Sequence, residues 1–248
     1  MKAERFWASV LLPFAFCLLP FLLCAADKEV QEGQALAAEL RGQRPSENSE
    51  LTGVLKIRDG TGKRTEVPIR FQAIVEADSW REIYEAVRDA SIVEKLVVVH
   101  RKNQPNEYRL TNSTTNASPV ANVVATNKTM LAFAGSDFWS TDLGRDFFHW
   151  TEQRLIKREM RRGRPCKVLE STNTNIVAGG YRRVRCWIDA ETGQPLRAEA
   201  YDHENKLLKE FAVGSVKKVK GHWELRDIEI RNEQTDSRTR LEFDLETK

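Results

Sequence analysis

Apolar and polar residues alternate along most of this chain, with the period of two that a strand half-buried in a sheet requires. The pattern is cleanest over residues 181–245. There, short alternating segments are separated by the turn signals Thr192-Gly193, His203–Asn205, Lys220-Gly221 and Gln234–Ser237. Turns about ten residues apart describe a meandering antiparallel sheet. Leu196, Ala198 and Ala200 share one face, opposite Arg197, Glu199 and Tyr201. From Trp223 and Leu225 to Ile228 and Ile230 the apolar parity switches from odd to even, which predicts a β-bulge at Arg226-Asp227. Leu241, Phe243 and Leu245 then close the sheet on one face.

Upstream, Leu51, Gly53, Leu55 and Ile57 share a parity, as do Val67, Ile69, Phe71, Ala73 and Val75. Pro68 marks an edge position or a bulge, since proline removes a ladder donor. Ser79–Asp89 fits helical spacing through Trp80, Ile83, Tyr84 and Val87, but lies among strands and is read as one. Ile92–His100 and Glu107–Thr111 form a hairpin. Asp27–Arg41 is spaced as an amphipathic helix, and Gly42–Glu50 is a polar linker. Asn112–Asn127 reads as a polar loop; its sequons at Asn112, Asn116 and Asn127 would carry glycans only in a secreted eukaryotic protein. Phe133–Arg164 looks helical in part, with Ser140 as a cap. Six of its first eighteen residues are aromatic, more than the stripe of a short helix usually buries.

The N-terminus changes the setting. Two cations and one acid in Met1–Arg5, an apolar run Phe6–Leu23 and the small residues Cys24-Ala25-Ala26 are the order of a secretory signal peptide. Cleavage after Ala26, retention as an anchor and lipidation at Cys24 all remain open. The domains are then 1–26 signal peptide, 27–50 helix and linker, and 51–248 the sheet domain. Removing the leader takes the formal charge from +3 to +2, which argues for no nucleic-acid partner. Only Cys166 and Cys186 remain beyond it. In an oxidising compartment an even pair in adjacent strands is expected to bridge.

Catalytic patterns are missing. His100, His149, His203 and His222 are scattered without paired-ligand spacing, and neither a G-x-S-x-G elbow nor a phosphate-binding glycine loop occurs. Asp137 and Asp142 offer turn and cap chemistry first. The chain is therefore expected to be no enzyme and to hold no cofactor or metal.

Gly135-Ser136-Asp137-Phe138-Trp139-Ser140-Thr141-Asp142-Leu143 resembles the S-D-F-x-x-x-D-L signature of LolA-like outer-membrane lipoprotein-sorting proteins. Further similar pieces follow in order: Tyr181…Trp187-Ile188-Asp189, Arg197–Asp202, Leu208-Lys209-Glu210-Phe211, Gly221-His222-Trp223 and Ser237-Arg238-Thr239. The resemblance covers about residues 50–246. It implies a periplasmic α+β protein, mostly β, in which a strongly curved antiparallel sheet forms an incomplete barrel with helices covering an apolar cavity. It implies lipoprotein acyl chains or another lipid as ligand, with a membrane protein as a further partner and a monomer as the working form. A sensor or interaction module on the same fold is the alternative. On that reading Phe71, Leu196, Ala198, Ile228, Ile230 and Phe243 belong to the concave wall, and Phe138, Trp139, Phe147, Phe148 and Trp150 to the cover or mouth.

Overall fold

The computed structural model describes residues 19–89, 92–114, 120–124, 129–175, 178–219 and 222–245. Most of the proposed leader (1–18), the sequons at Asn116 and Asn127, and the turn at Lys220-Gly221 lie outside them. Helix α1 (Leu19–Arg41) is followed by six strands: β1 (Ser49–Arg58), β2 (Arg64–Val75), β3 (Ser79–Asp89), β4 (Ile92–Arg101), β5 (Glu107–Thr114) and β6 (Val120–Val124). A short helix α2 (Ser140–Leu143) and a 3-10 turn (Asp146–His149) come next. The chain ends with β7 (Glu152–Arg161), β8 (Arg164–Thr172), β9 (Arg183–Asp189), β10 (Pro195–Tyr201), β11 (Leu207–Val219), β12 (His222–Asn232) and β13 (Ser237–Phe243).

All thirteen strands form one antiparallel sheet in the order β6-β5-β4-β3-β2-β1-β13-β12-β11-β10-β9-β8-β7. The first six walk outward from β1 and the last seven walk back to it, so β1 and β13 pair mid-sheet, Leu55 opposite Leu241. Strands β6 and β7, joined by one connection, are left at opposite edges.

The sheet is strongly curved and unclosed. Laid flat, β5 and β9 would lie about 43 Å apart at ~4.8 Å per strand. Yet Asp142 bonds to Tyr181, just before β9, while the backbone of Gly144 lies against Tyr108 of β5. Two residues of chain bridge the interior, so the sheet has curled around it. Bulges permit the bend. One falls where the parity switch predicts it: Asp227 pairs with Ser215 and Leu225 with Val216, leaving Arg226 unpaired. Three predicted turns also carry a residue of positive φ, at Gly193, Asn205 and Asp236. Pro68 pairs with Val54 of β1, but β3 joins β2 only from Ile69 onward, so the proline has one neighbouring strand.

Several expectations change. The loop expected at 112–127 contains the end of β5 and the whole of β6, and Asn112 is exposed on β5. The helix expected within Phe133–Arg164 reduces to α2 and the 3-10 turn. Residues from Glu152 onward form β7, whose Gln153 and Leu155 face inward and whose hairpin turns on Arg162 and Gly163, both at positive φ. Ser140 begins α2 but does not cap it; Asp142 accepts the Trp139 backbone N–H at 2.8 Å instead.

The disulfide is corrected by register. Cys166 pairs with Asp189, and Cys186 lies three positions from Asp189 on the same strand. An odd offset puts Cys186 on the opposite face of the sheet. Its thiol faces the main core, whereas Cys166 packs outside with Val168 and Trp187, and both are free. Burial pushes the Cys186 thiol upward, beyond the reach of ordinary pH.

Candidate functional site

Topology places the site. Because β6 and β7 occupy opposite edges, the connection between them has to cross the mouth of the curled sheet. Its residues 129–150 enter the interior and fill it. The leading part is a small hairpin: Phe133 N–H bonds Phe138 O at 2.8 Å, and the turn between them uses positive φ at Ala134 and Gly135. Glu94 of β4, itself buried, accepts the Ala134 N–H at 2.8 Å. Phe133, Phe138, Phe147 and Phe148 are all buried.

Of the eleven residues expected at wall and cover, ten share the main core. Ala198 and Ile230 are buried on the wall; Phe71, Ile228 and Phe243 are partly buried and packed against the same cluster. The Phe71 ring packs at a tilt against Tyr84 and Phe243, with centroids 5.0 Å and 5.9 Å away. Phe138, Phe147 and Phe148 are buried in that core, with Trp139 and Trp150 packed against it. Leu196 is the exception. Pairing between β9 and β10 skips it, Pro195 facing Ile188 and Arg197 facing Trp187. That break puts Leu196 outside, against the Cys166, Val168 and Trp187 cluster.

The interior also holds a polar latch that the apolar pattern did not show. Asp137 accepts the Ser237 hydroxyl at 2.5 Å and the Thr239 hydroxyl at 2.9 Å, and its own N–H donates to Thr239 Oγ1 at 2.9 Å. Lys209, fully buried on β11, donates from Nζ to Asp137 O at 2.7 Å and lies 3.5 Å from Asp142 Oδ2. The ammonium sits 3.3 Å over the Trp139 ring, which stacks on Tyr181 at 4.7 Å. Tyr181 donates to Asp142 Oδ2 at 3.1 Å. Desolvation brings Lys209 down to about 8 and pushes Asp142 up, each held back by the other's charge. One clue was readable: Lys209 shares the inward parity of Phe211, and a lysine on an apolar face needs an anion.

A second set of contacts, buried and half-buried, holds the trailing part of the connection. Arg145 donates to Glu82 Oε1 at 3.0 Å, and His100 Nε2 lies 3.5 Å from Glu82 Oε2 while its ring stacks on Trp80. Asn106 donates to Gly144 O at 2.8 Å, and Arg41 of α1 donates to Phe148 O at 2.7 Å. Asp146, buried and hydrogen-bonded by Tyr108, keeps Oδ1 without a partner, and burial raises it to about 6. Burial brings His149 nearby down to about 4.

Asp146 gives a pH prediction. The folded protein holds this proton more tightly than the unfolded chain, whose value is near 3.8. The group therefore favours folding most in acid, and that contribution is lost as pH rises through about 6. Asp146→Asn keeps an acceptor for Tyr108 and removes the charge. It should raise stability at pH 7.5 by up to about 3 kcal/mol and by much less at pH 4.5. Urea unfolding at the two pH values decides, with the difference between variant and wild type cancelling the opposed contribution of His149. An equal effect at both would show that Asp146 does not ionise in this window.

Among the described residues no group of histidines, cysteines or carboxylates could hold a metal ion, and no helix is long and apolar enough to cross a membrane. Two depressions adjoin α1. One, of about 10 Å³, lies among Leu40, Arg41, Trp80, His100 and His149. The other, of about 140 Å³, is polar and lies between α1 and the β9–β10 turn, with Glu39, Lys167 and Glu191 around it. Both are below the roughly 300 Å³ at which small-molecule sites begin.

The curled, unclosed antiparallel sheet is the LolA-like fold, and solved structures share it. A DUF1329 family protein from Desulfovibrio piger matches with TM-score 0.72 and 20% identity over 87% of this chain and 91% of that one. A domain assigned to outer membrane lipoprotein sorting from Vibrio parahaemolyticus gives TM-score 0.71 and 19% identity, over 87% of this chain and 92% of its own. A LolA superfamily protein from Nitrosomonas europaea gives 0.57 and 15%, over 88% and 92%. No curated protein matches the chain. A family model described as "Uncharacterized protein" matches residues 119–246, just over half of the sequence, and the chain belongs to that family. The match spans the cover, its latch and β7–β13.

Proposed function

We propose that this protein is a non-catalytic acyl-chain carrier of the periplasm, exported by a leader cleaved after Ala26, that loads by exchange. An acyl chain of a lipoprotein or lipid takes the interior space that residues 129–150 fill in the unloaded protein. One observation carries the reading: the apolar interior of a sheet shared with a lipoprotein-sorting domain is filled by the aromatic side chains of a separate, crossing segment.

Magnitudes favour exchange over an open pocket. A sixteen-carbon chain enclosed at about 0.8 kcal/mol per methylene gains roughly 12 kcal/mol, too much for ready release. Withdrawing Phe133, Phe138, Phe147 and Phe148, with most of Trp139, costs roughly 8–15 kcal/mol at 1.5–3 each. The two nearly cancel, so loading and unloading both become reachable. A membrane protein at donor or acceptor membrane would supply the remaining bias, and the carrier itself works as a monomer.

The filled interior also favours a second reading, an interaction or sensor module whose cover never leaves. Mass spectrometry of organic extracts from protein purified out of the cell envelope separates them. The carrier reading expects acyl lipid in amounts comparable to protein, restored after delipidation by incubation with vesicles. Protein that stays lipid-free through both steps, yet is recovered cross-linked to one membrane protein, would leave the module.

A further inference from the structure

The latch has two sides of different chemistry, and the sides belong to different parts of the fold. The wall contributes donors: Lys209 Nζ from β11, the Tyr181 hydroxyl from the approach to β9, and the Ser237 and Thr239 hydroxyls from β13. The cover contributes the anions, Asp137 and Asp142. When the cover withdraws, its carboxylates leave and the donors remain on the wall. In the closed protein Lys209, Tyr181 and Thr239 are each almost wholly inaccessible, and a ligand tail seated in place of the cover would shield them from water in the same way.

From this division we infer that the interior takes amphiphiles with an anionic oxygen headgroup, a carboxylate or phosphate seated where Asp137 and Asp142 sit in the closed protein. This rests on the acyl-exchange reading and names its ligand class. A neutral chain would fill the apolar volume but strand a buried ammonium without its counter-charge, a state far more costly than the intact pair. An anionic headgroup restores the charge and also accepts the Tyr181, Ser237 and Thr239 hydroxyls. The closed cover is on this view an internal mimic of the ligand, with aromatic rings for the tail and carboxylates for the head.

Calorimetric titration of the delipidated full chain at pH 7 tests it with three probes of matched tail, used below their micelle concentrations: palmitate, palmitoyl lysophosphatidate and hexadecanol. The expected result is that one or both anionic probes bind at least tenfold more tightly than hexadecanol. Their order then tells a carboxylate site from a phosphate site. Thr239→Val, which removes one wall donor and keeps the shape, should reduce the anionic preference several-fold. Equal binding of all three overturns the headgroup site and leaves an acyl carrier standing. Binding of none overturns both.

Discussion

Lys209→Met is expected to lower the stability of the folded protein by about 3–5 kcal/mol, or about 6–20 °C in Tm for a domain of this size. Two effects oppose here. The methionine avoids the cost of desolvating an ammonium, which is what brings Lys209 down to about 8. Against that, Asp142 has no side-chain exposure and would lose the cation beside it. The second effect should win, because removing one partner of a buried pair costs more than the intact pair is worth. Asp142→Asn added to Lys209→Met removes the stranded charge and keeps an acceptor for the Trp139 N–H and the Tyr181 hydroxyl. The double variant should therefore regain about 1 kcal/mol or more over Lys209→Met alone. Urea titration with an unchanged m-value is the measurement. Wild-type stability has a matching signature in alkali. The folded-state value lies below that of the unfolded lysine, so the contribution grows as pH rises from about 8 toward 10.5, and Lys209→Met should lack that rise. Lys209→Met within about 0.5 kcal/mol of wild type would mean that the latch is a contact without consequence.

The sheet was legible because burial on one face writes a period of two into the sequence, and the same logic located the turns and the bulge near Arg226. Legibility stopped where long-range register decides. Nothing local says that Cys166 faces Asp189, yet that pairing alone separates the two thiols to opposite faces. Leu196 left the predicted wall for the same kind of reason, a break in pairing of which Pro195 was the one hint. The cover was half visible. Its density of aromatics in Phe133–Trp150 exceeds what a short helix can bury, and the structure answers with a crossing segment whose four phenylalanines are buried and whose two tryptophans are partly buried. Its latch was written in fragments far apart in sequence. Asp137 and Asp142, Tyr181, Lys209, Ser237 and Thr239 all fall within the pieces that resemble the lipoprotein-sorting signature, but only the curled sheet brings them together. The helix expected through Trp150 stops at Leu143 because Arg145 takes a positive φ, in which its guanidinium meets Glu82, while Gly144 lies so close to Tyr108 that a side chain there would overlap it.

Gly33→Ala should reverse the usual ranking of helix residues. In an exposed helix interior that substitution gains about 1 kcal/mol. Gly33, however, lies on the buried side of α1, where an added Cβ would stand 2.5 Å from Arg154 Cα and 2.6 Å from Arg154 N. Those are backbone atoms of β7 and cannot rotate aside. The helix can relieve the overlap only by lifting away, which loosens Leu36, Ala37 and Leu40, all buried in the core. Overpacking costs about 1–3 kcal/mol, and partial exposure of two leucines adds a comparable amount, so the net loss should be about 3 kcal/mol. Ala38→Gly, on the exposed side of the same helix, is the control and should cost only about 1 kcal/mol. Consequences should reach past the helix. Strand β7 is an edge of the sheet, and α1 is the element packed on it; a lifted helix bares an unpaired edge prone to association. Arg41 would also release Phe148, loosening the trailing end of the cover without touching the latch at its leading end. Hydrogen exchange should then show faster exchange in residues 146–150 and unchanged protection around Phe133 and Phe138. A Gly33→Ala protein as stable as wild type would place α1 further from β7 than a glycine contact, and would remove the helix from any part in holding the cover shut.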